Sequence, residues 1–216
     1  MTDLIVTMDG PAGTGKSTVS RAVALRLGLP HLDTGAYYRA AGLAAMRAGV
    51  DLEDGAEVAG VVASSDLDQV DGRMLLEGED VSTRIRSPEV TTASSRVSAH
   101  PEVRKVLVTR QREWVERHQN RAVVEGRDIG SVVFPHATLK IYLDARPEVR
   151  ARRRADQTGG DVSEVLAELA ARDHRDSTRQ ASPLSIPTDA MVVDTSDMTF
   201  DEVVDRVVAR AGQPTG

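Results

Sequence analysis

The sequence predicts a three-layer α/β fold with a central parallel sheet, an inserted lobe and a helical lid. Three observations predict it. Apolar runs of strand length alternate with helix-period segments along the whole chain, as repeated βα units do. The first apolar run leads into a glycine-rich turn that opens a helix, the setting of a phosphate-binding loop. The stretch from about Ser65 to Arg86 breaks the alternation: Asp71-Gly72 and Glu77-Gly78 are turn signals between short apolar runs, so it reads as a small antiparallel meander.

The elements follow in order. Leu4–Met8 is the first strand, and Lys16–Leu27 the helix after the glycine turn. A short strand at Pro30–Leu32 leads to a helix over Gly35–Ala48, for which Thr34 is the expected cap. After the meander, helices are expected at Pro88–Ala99 and Pro101–Arg117, each with proline as first helical residue. Ala122–Glu125 and Leu139–Leu143 are core strands. Pro147–Thr158 and Val162–Ser177 form two helices joined by Gln157-Thr158-Gly159-Gly160-Asp161, a hinge. Met191–Asp194 is the last strand, and Phe200–Ala211 the last helix, with Thr199 and Glu202 spaced for a capping box. The chain is expected to be one domain, residues 1–216. Its core is 1–34, 101–145 and 178–216, the lobe about 35–100 and the lid about 146–177.

Composition narrows the function. The 216 residues contain no cysteine, which excludes disulfides, zinc ribbons and thiol catalysis and points to a reducing compartment. The N-terminus has no basic leader, and no apolar stretch approaches the ~20 residues needed to span a bilayer, so a cytoplasmic protein without a membrane partner is expected. A net charge of −6 and only 3% aromatic residues argue against a nucleic-acid partner. A monomer is the expected state. Of 27 basic residues only Lys16, Lys105 and Lys140 are lysine. Coding bias accounts for most of the arginines; a few are expected to clamp phosphates with their planar forks.

Gly10-Pro11-Ala12-Gly13-Thr14-Gly15-Lys16-Ser17 has the form G-x-x-x-x-G-K-[ST]. Such a loop turns amide N–H groups inward onto phosphate oxygens, and the following helix directs its positive end at the same anion. Lys16 reaches the β- and γ-phosphates and the Ser17 hydroxyl meets Mg²⁺, so Mg-ATP is the expected cofactor, held by Gly10 through Thr18. A GTPase would need N-K-x-D and D-x-x-G, and neither is present. A motor would need a longer chain and a basic groove. The run Leu139–Asp144 imitates a motor's acidic strand end, but Asp144 also fits the plain role of ending a strand. A small-molecule kinase remains, and it needs cations around a transferring phosphoryl group.

Three segments offer them. Arg39, about one helical turn beyond the cap Thr34, can reach an anion held near that helix start. Gly126-Arg127-Asp128-Ile129-Gly130 follows a strand, at the sheet edge where ligands sit, so Arg127 can take a phosphate and Asp128 an exocyclic amine. Arg172-Asp173-His174-Arg175-Asp176-Ser177-Thr178-Arg179, preceded by Arg150 and Arg152 to Arg154, makes an arginine-bearing lid. Alternating charge there suggests a solvated ion-paired face, expected to include Arg150 and Asp173.

These blocks, in this order, resemble the bacterial cytidylate kinase family over nearly the whole chain: Gly-Pro-Ala-Gly-Thr-Gly-Lys-Ser at 10–17, Asp-Thr-Gly-Ala-Tyr-Tyr-Arg at 33–39, Ser94 to Arg104, Gly-Arg-Asp-Ile-Gly at 126–130 and Arg-Asp-His-Arg-Asp at 172–176. The resemblance implies a P-loop kinase fold and transfer of the ATP γ-phosphate to CMP and dCMP, with UMP a poorer acceptor. It gives the acceptor phosphate to Thr34, Arg39 and Arg127, cytosine to Ser95, Arg104 and Asp128, and the sugar to Arg172 and Asp176, with Arg179 close to the phosphates. Lys16, Arg127, Arg152, Arg153 and Arg175 would be the catalytic cations. Many members carry glycine where Ser17 stands, so Ser17 would meet the metal more directly here, with the Thr18 hydroxyl as the alternative. A kinase for another small acceptor, such as UMP, and a nucleotide-binding regulator without turnover are the alternatives.

Overall fold

The computed structural model describes residues 3–178 and 182–212 of the 216-residue chain. In chain order the strands are β1 Leu4–Asp9, β2 His31–Asp33, β3 Leu67–Val70, β4 Arg73–Leu76, β5 Glu79–Asp80, β6 Arg121–Glu125, β7 Leu139–Asp144 and β8 Met191–Asp194. The helices are α1 Lys16–Leu27, α2 Thr34–Ala48, α3 Gly55–Ser64, α4 Pro88–Val97, α5 Pro101–Arg117, α6 Pro147–Thr158, α7 Val162–Thr178 and α8 Phe200–Ala211. A 3₁₀ turn at Arg84–Arg86 and a wide π-type turn at Ile129–Val133 complete the described elements. They form two compact units, Met1–His31 with Asn120–Gly216, and Leu32–Gln119.

The first unit holds β6, β1, β7 and β8 of a five-stranded sheet of order β2-β6-β1-β7-β8, in which β1 pairs in parallel with both β6 and β7. Because β1 is central, its side chains on both faces are covered, and Val6 and Met8 are fully buried with Val123, Ile141 and Leu143. Val19, Val23 and Ala24 of α1 meet Val203, Val204 and Val207 of α8 in the same cluster. The predicted capping box starts α8: the Glu202 amide donates to Thr199 Oγ1 and the Thr199 amide to Glu202 Oε2, so two orphan donors of the first turn are satisfied. The central strand delivers the chain to the middle of the sheet's carboxyl edge, where open α/β sheets bind ligands. The turn leaving it requires glycine: Gly10 has φ +139°, and a Cβ there would lie 2.0 Å from the Leu143 carbonyl oxygen.

The second unit packs α2 against α4 and α3 against α5, with the antiparallel sheet β3-β4-β5 beside them. The meander matches the sequence expectation. Asp71 and Gly72, then Glu77 and Gly78, have positive φ, as tight hairpin turns demand. Gly42 allows α2 and α4 to meet closely, since a Cβ there would be 2.9 Å from the Ser94 amide. Trp114 Nε1 donates to the Gln69 carbonyl at 2.7 Å and so fastens α5 to the meander. Thus α5, expected in the core from sequence, belongs to this unit.

Three local expectations differ. The segment before the meander carries α3, whose cap Asp54 accepts from Ala56 and Glu57; the helix is only ten residues and begins on glycine, so its periodicity is faint. The short strand is His31–Asp33 rather than Pro30–Leu32, because proline lacks the ladder donor. Asp33, not Thr34, caps α2: its Oδ1 accepts from the Ala36 amide at 3.0 Å, and Thr34 becomes the first helical residue.

Candidate active site

In the first unit the residues after β1 make the loop the sequence predicts. Gly13 and Gly15 take φ +79° and +87°, and Gly15 caps α1. Lys16 arches back over the loop: its Nζ donates to the Pro11 carbonyl at 2.5 Å and approaches Thr14 Oγ1 at 3.4 Å. Burial, and then the positive charge of Arg127, hold its pKa well below the usual lysine range, while Glu125 and Asp9 pull the other way. Arg172 is lowered by the same two causes, desolvation first and Arg127 second, although part of its surface reaches solvent. Three cations thus crowd one another around the phosphate loop, the electrostatic condition of a site that takes an anion.

The segment Gly126–Gly130 is fixed to the root of that loop. The Gly126 amide donates to the Met8 carbonyl at 3.0 Å, and Arg127 donates to the Gly10 carbonyl at 2.8 Å. The amides of Ile129 and Gly130 both donate to the Asp9 carboxylate at 2.7 Å. Arg127 pairs with Asp176 of α7, Nε to Oδ2 at 3.3 Å. Asp128 is buried, 4% exposed.

The lid helices depart from the solvated face expected of them. Arg150 of α6 is buried and pairs with Asp173 of α7 through its Nη1, which also donates to the Ala12 carbonyl at 3.1 Å. The Ala12 amide donates to Asp173 Oδ1 at 3.3 Å. Charge alternation alone could not reveal this clasp, because the same pattern serves a wet face and a buried pair. Arg153 points its guanidinium at Thr195, donating to Oγ1 at 2.9 Å and to the carbonyl at 2.7 Å. It thereby lines a solvent-open cleft of about 200 Å³ with Gly15, Thr18, Met198 and Phe200. Arg152 and Arg175 are exposed, and Arg179 lies outside the described residues.

In the second unit Arg39 donates to Asp33 Oδ2 at 3.2 Å, and Arg86 stands 4.0 Å from the same oxygen. Thr34 is buried at the start of α2. Arg104, 4% exposed, lies over the Tyr38 ring at 5.2 Å, a cation–π contact that keeps a buried guanidinium in place. Ser95 is exposed on α4, its hydroxyl donating to the Thr91 carbonyl at 3.2 Å.

Sequence reasoning missed four residues. Glu125 ends β6 beside β1 and is 3% exposed; its charge offsets that of Lys16. His31 Nε2 lies 3.7 Å from Glu125 Oε1 and 2.8 Å from Ser20 Oγ. Asp9 is the fourth. The positions of Asp9 and Glu125 at the carboxyl ends of strands, and of Ser20 on the covered face of α1, were legible; their partners, far off in sequence, were not.

A parallel sheet of this strand order, with a glycine loop, lysine and serine at the end of its central strand, defines a P-loop nucleotide-binding kinase fold. Two solved structures share the fold: an uncharacterized protein from Eubacterium ventriosum ATCC 27560 (TM-score 0.59, 9% identity, 98% of this chain and 100% of that one) and TT1252 from Thermus thermophilus (TM-score 0.51, 23% identity, 100% of both). The family model described as cytidylate kinase matches residues 6–213. Proteins named cytidylate kinase from Mycobacterium leprae (strain Br4923), 51% identical over 100% of this chain and 99% of that protein, and from Nocardia farcinica (strain IFM 10152), 52% identical over 97% and 95%, are similar from end to end. The chain belongs to the cytidylate kinase family. Among the described residues no helix is long and apolar enough to cross a membrane.

Proposed function

We infer that the protein transfers the γ-phosphate of ATP to CMP, and to dCMP, releasing ADP and the nucleoside diphosphate. The observation that carries this reading is the crowding of Lys16, Arg127 and Arg172 around a backbone amide cradle, the charge of Arg127 adding to desolvation in holding down both Lys16 and Arg172 where phosphate charge would relieve them. The acceptor phosphate is itself the nucleophile and is already anionic, so the reaction calls for alignment and charge stabilisation rather than a general base.

The loop amides and Lys16 hold the donor phosphates, and the cleft bounded by Arg153, Met198 and Phe200 takes the donor's base and sugar. Arg127 takes the acceptor phosphate, with Arg172 and Asp176 on its sugar. The family resemblance assigns Thr34 and Arg39 to the acceptor phosphate and Ser95 and Arg104 to cytosine. The hydroxyl of Ser17, exposed at the first turn of α1, suits a hard cation. When bound, the ion would neutralise charge between the β- and γ-phosphates.

Asp128 accepts from the cytosine amine, and uracil would present a carbonyl to the same carboxylate. Loss of one such pairing costs ~1–3 kcal/mol. Asp128→Ala is therefore expected to narrow the CMP-over-UMP preference in kcat/KM by about tenfold; an unchanged ratio would show that the base is read elsewhere. The whole assignment is tested by ADP release from Mg-ATP with a panel of nucleoside monophosphates. CMP and dCMP should be fastest and UMP slower. A faster acceptor outside this group would identify a different kinase, and no ADP release at all would identify a regulator.

A further inference from the structure

We propose that Asp9 is a positioning residue for phosphoryl transfer: its carboxylate seats the Gly126–Gly130 turn on the end of the phosphate-loop strand and so sets Arg127 and Asp128 relative to the loop. The proposal rests on the reading of those two residues as acceptor ligands.

The geometry is specific. Asp9 is the last residue of β1, directly before Gly10, and is fully buried. Each of its oxygens accepts a different backbone amide, Oδ1 from Ile129 and Oδ2 from Gly130, both at 2.7 Å. Two short bonds to one carboxylate fix the turn in orientation as well as position. Residues 8 and 10 add one bond each to the same turn, so three consecutive residues of the donor loop's root carry the acceptor turn. The seat is close-fitting: a Cβ on Gly130 would lie 2.8 Å from Thr7 Oγ1 and 3.2 Å from Asp9 Oδ2. In-line transfer is sensitive to sub-ångström placement of the two phosphates, and a shared anchor supplies that placement without touching either one.

The charged form is required. A carboxylate accepts both amides, whereas a carboxyl group presents a proton to one of them. Burial, the largest cause, raises Asp9 to about 6; Asp128 also raises it, and the two amides and Lys16 lower it. Tyr142 and Lys140 on the neighbouring β7 complete its titratable surroundings. With the folded pKa above the ordinary value of 3.8, the folded state keeps a proton that the unfolded chain has lost between about pH 4 and 6. Asp9 therefore lowers stability as pH rises through that window. The arrangement accepts a stability cost for an ionised anchor.

The test is Asp9→Asn in the full chain, which keeps the shape and loses one acceptor, read by calorimetric titration with CMP and with ADP and by steady-state kinetics. CMP affinity is expected to fall tenfold or more and kcat to fall with it, while ADP affinity changes less than threefold. Below pH 6 the wild type should lose CMP affinity more steeply than the variant, which keeps only the dependence that protonation of the CMP phosphate itself imposes. The melting temperature of the variant relative to wild type should rise between pH 4 and 6. Gly130→Ala, which lifts the turn off an intact Asp9, should reproduce the CMP-selective loss if Asp9→Asn does not fold. Equal losses for CMP and ADP, or unchanged CMP affinity, overturn the proposal. Arg127→Ala separates this failure from that of the underlying reading. If Arg127→Ala weakens CMP and Asp9→Asn does not, only the role of Asp9 is lost; if Arg127→Ala also leaves CMP unchanged, the acceptor assignment fails with it.

Discussion

Replacing Lys16 with alanine is expected to cut ADP formation by at least ~10³-fold, the scale on which a single cation stabilises a transferring phosphoryl group. It is not expected to unfold the protein. In the absence of nucleotide Lys16 is a burden on the fold: burial and the neighbouring guanidinium of Arg127 hold its pKa down, so keeping its charge opposes the folded state around neutral pH. Removing it relieves that repulsion, and the melting temperature of Lys16→Ala without ligand should equal or exceed that of wild type. Thermal unfolding beside an ADP-release assay measures both. Turnover within tenfold of wild type would remove Lys16 from the chemistry, and a collapse in melting temperature would mean that its role is structural.

The clasp between the lid helices predicts the reverse pattern. Asp173→Ala deprives the buried Arg150 guanidinium of its counter-charge and the Ala12 amide of its acceptor. Removing one member of a buried ion pair costs several kcal/mol. Asp173 is partly exposed, and Arg150 keeps its bonds to the Ala12 and Ala145 carbonyls at 3.1 Å, so about 2–3 kcal/mol is the reasonable expectation. For a chain of this size that lowers the melting temperature by roughly 5–10 °C. Replacing both partners with apolar residues, Arg150→Met with Asp173→Leu, should recover most of the loss, because neither charge is then stranded. A melting temperature unchanged by Asp173→Ala would show the pair to be solvated, as charge alternation first suggested.

The sequence was legible where local chemistry decides structure. Pro88, Pro101 and Pro147 start their helices, Thr199 and Glu202 close their box, and Asp71-Gly72 turns its hairpin, each from rules that span four residues or fewer. The phosphate loop was legible for the same reason. What resisted reading depends on neighbours far along the chain. Asp9 meets residues about 120 positions away, and Arg150 meets Ala12 138 positions away. Arg153 stood in an arginine run with nothing to distinguish it from Arg152, yet it turns to Thr195 and the cleft while Arg152 is exposed. Thr34 lost its capping role to Asp33 because two adjacent residues were both good caps, and only the backbone conformation at Asp33 decided between them.

Strand β1 sits between β6 and β7, whereas β8 lies at the border of the sheet with Val192 half exposed. Openings that fray the border leave the centre intact, so amide hydrogens of β1 should exchange with solvent only when the whole unit comes apart, and those of β8 through smaller excursions. The proposed phosphate grip is therefore rooted in the part of the unit expected to exchange slowest. Moderate heating or denaturant should loosen the periphery well before it disturbs that grip.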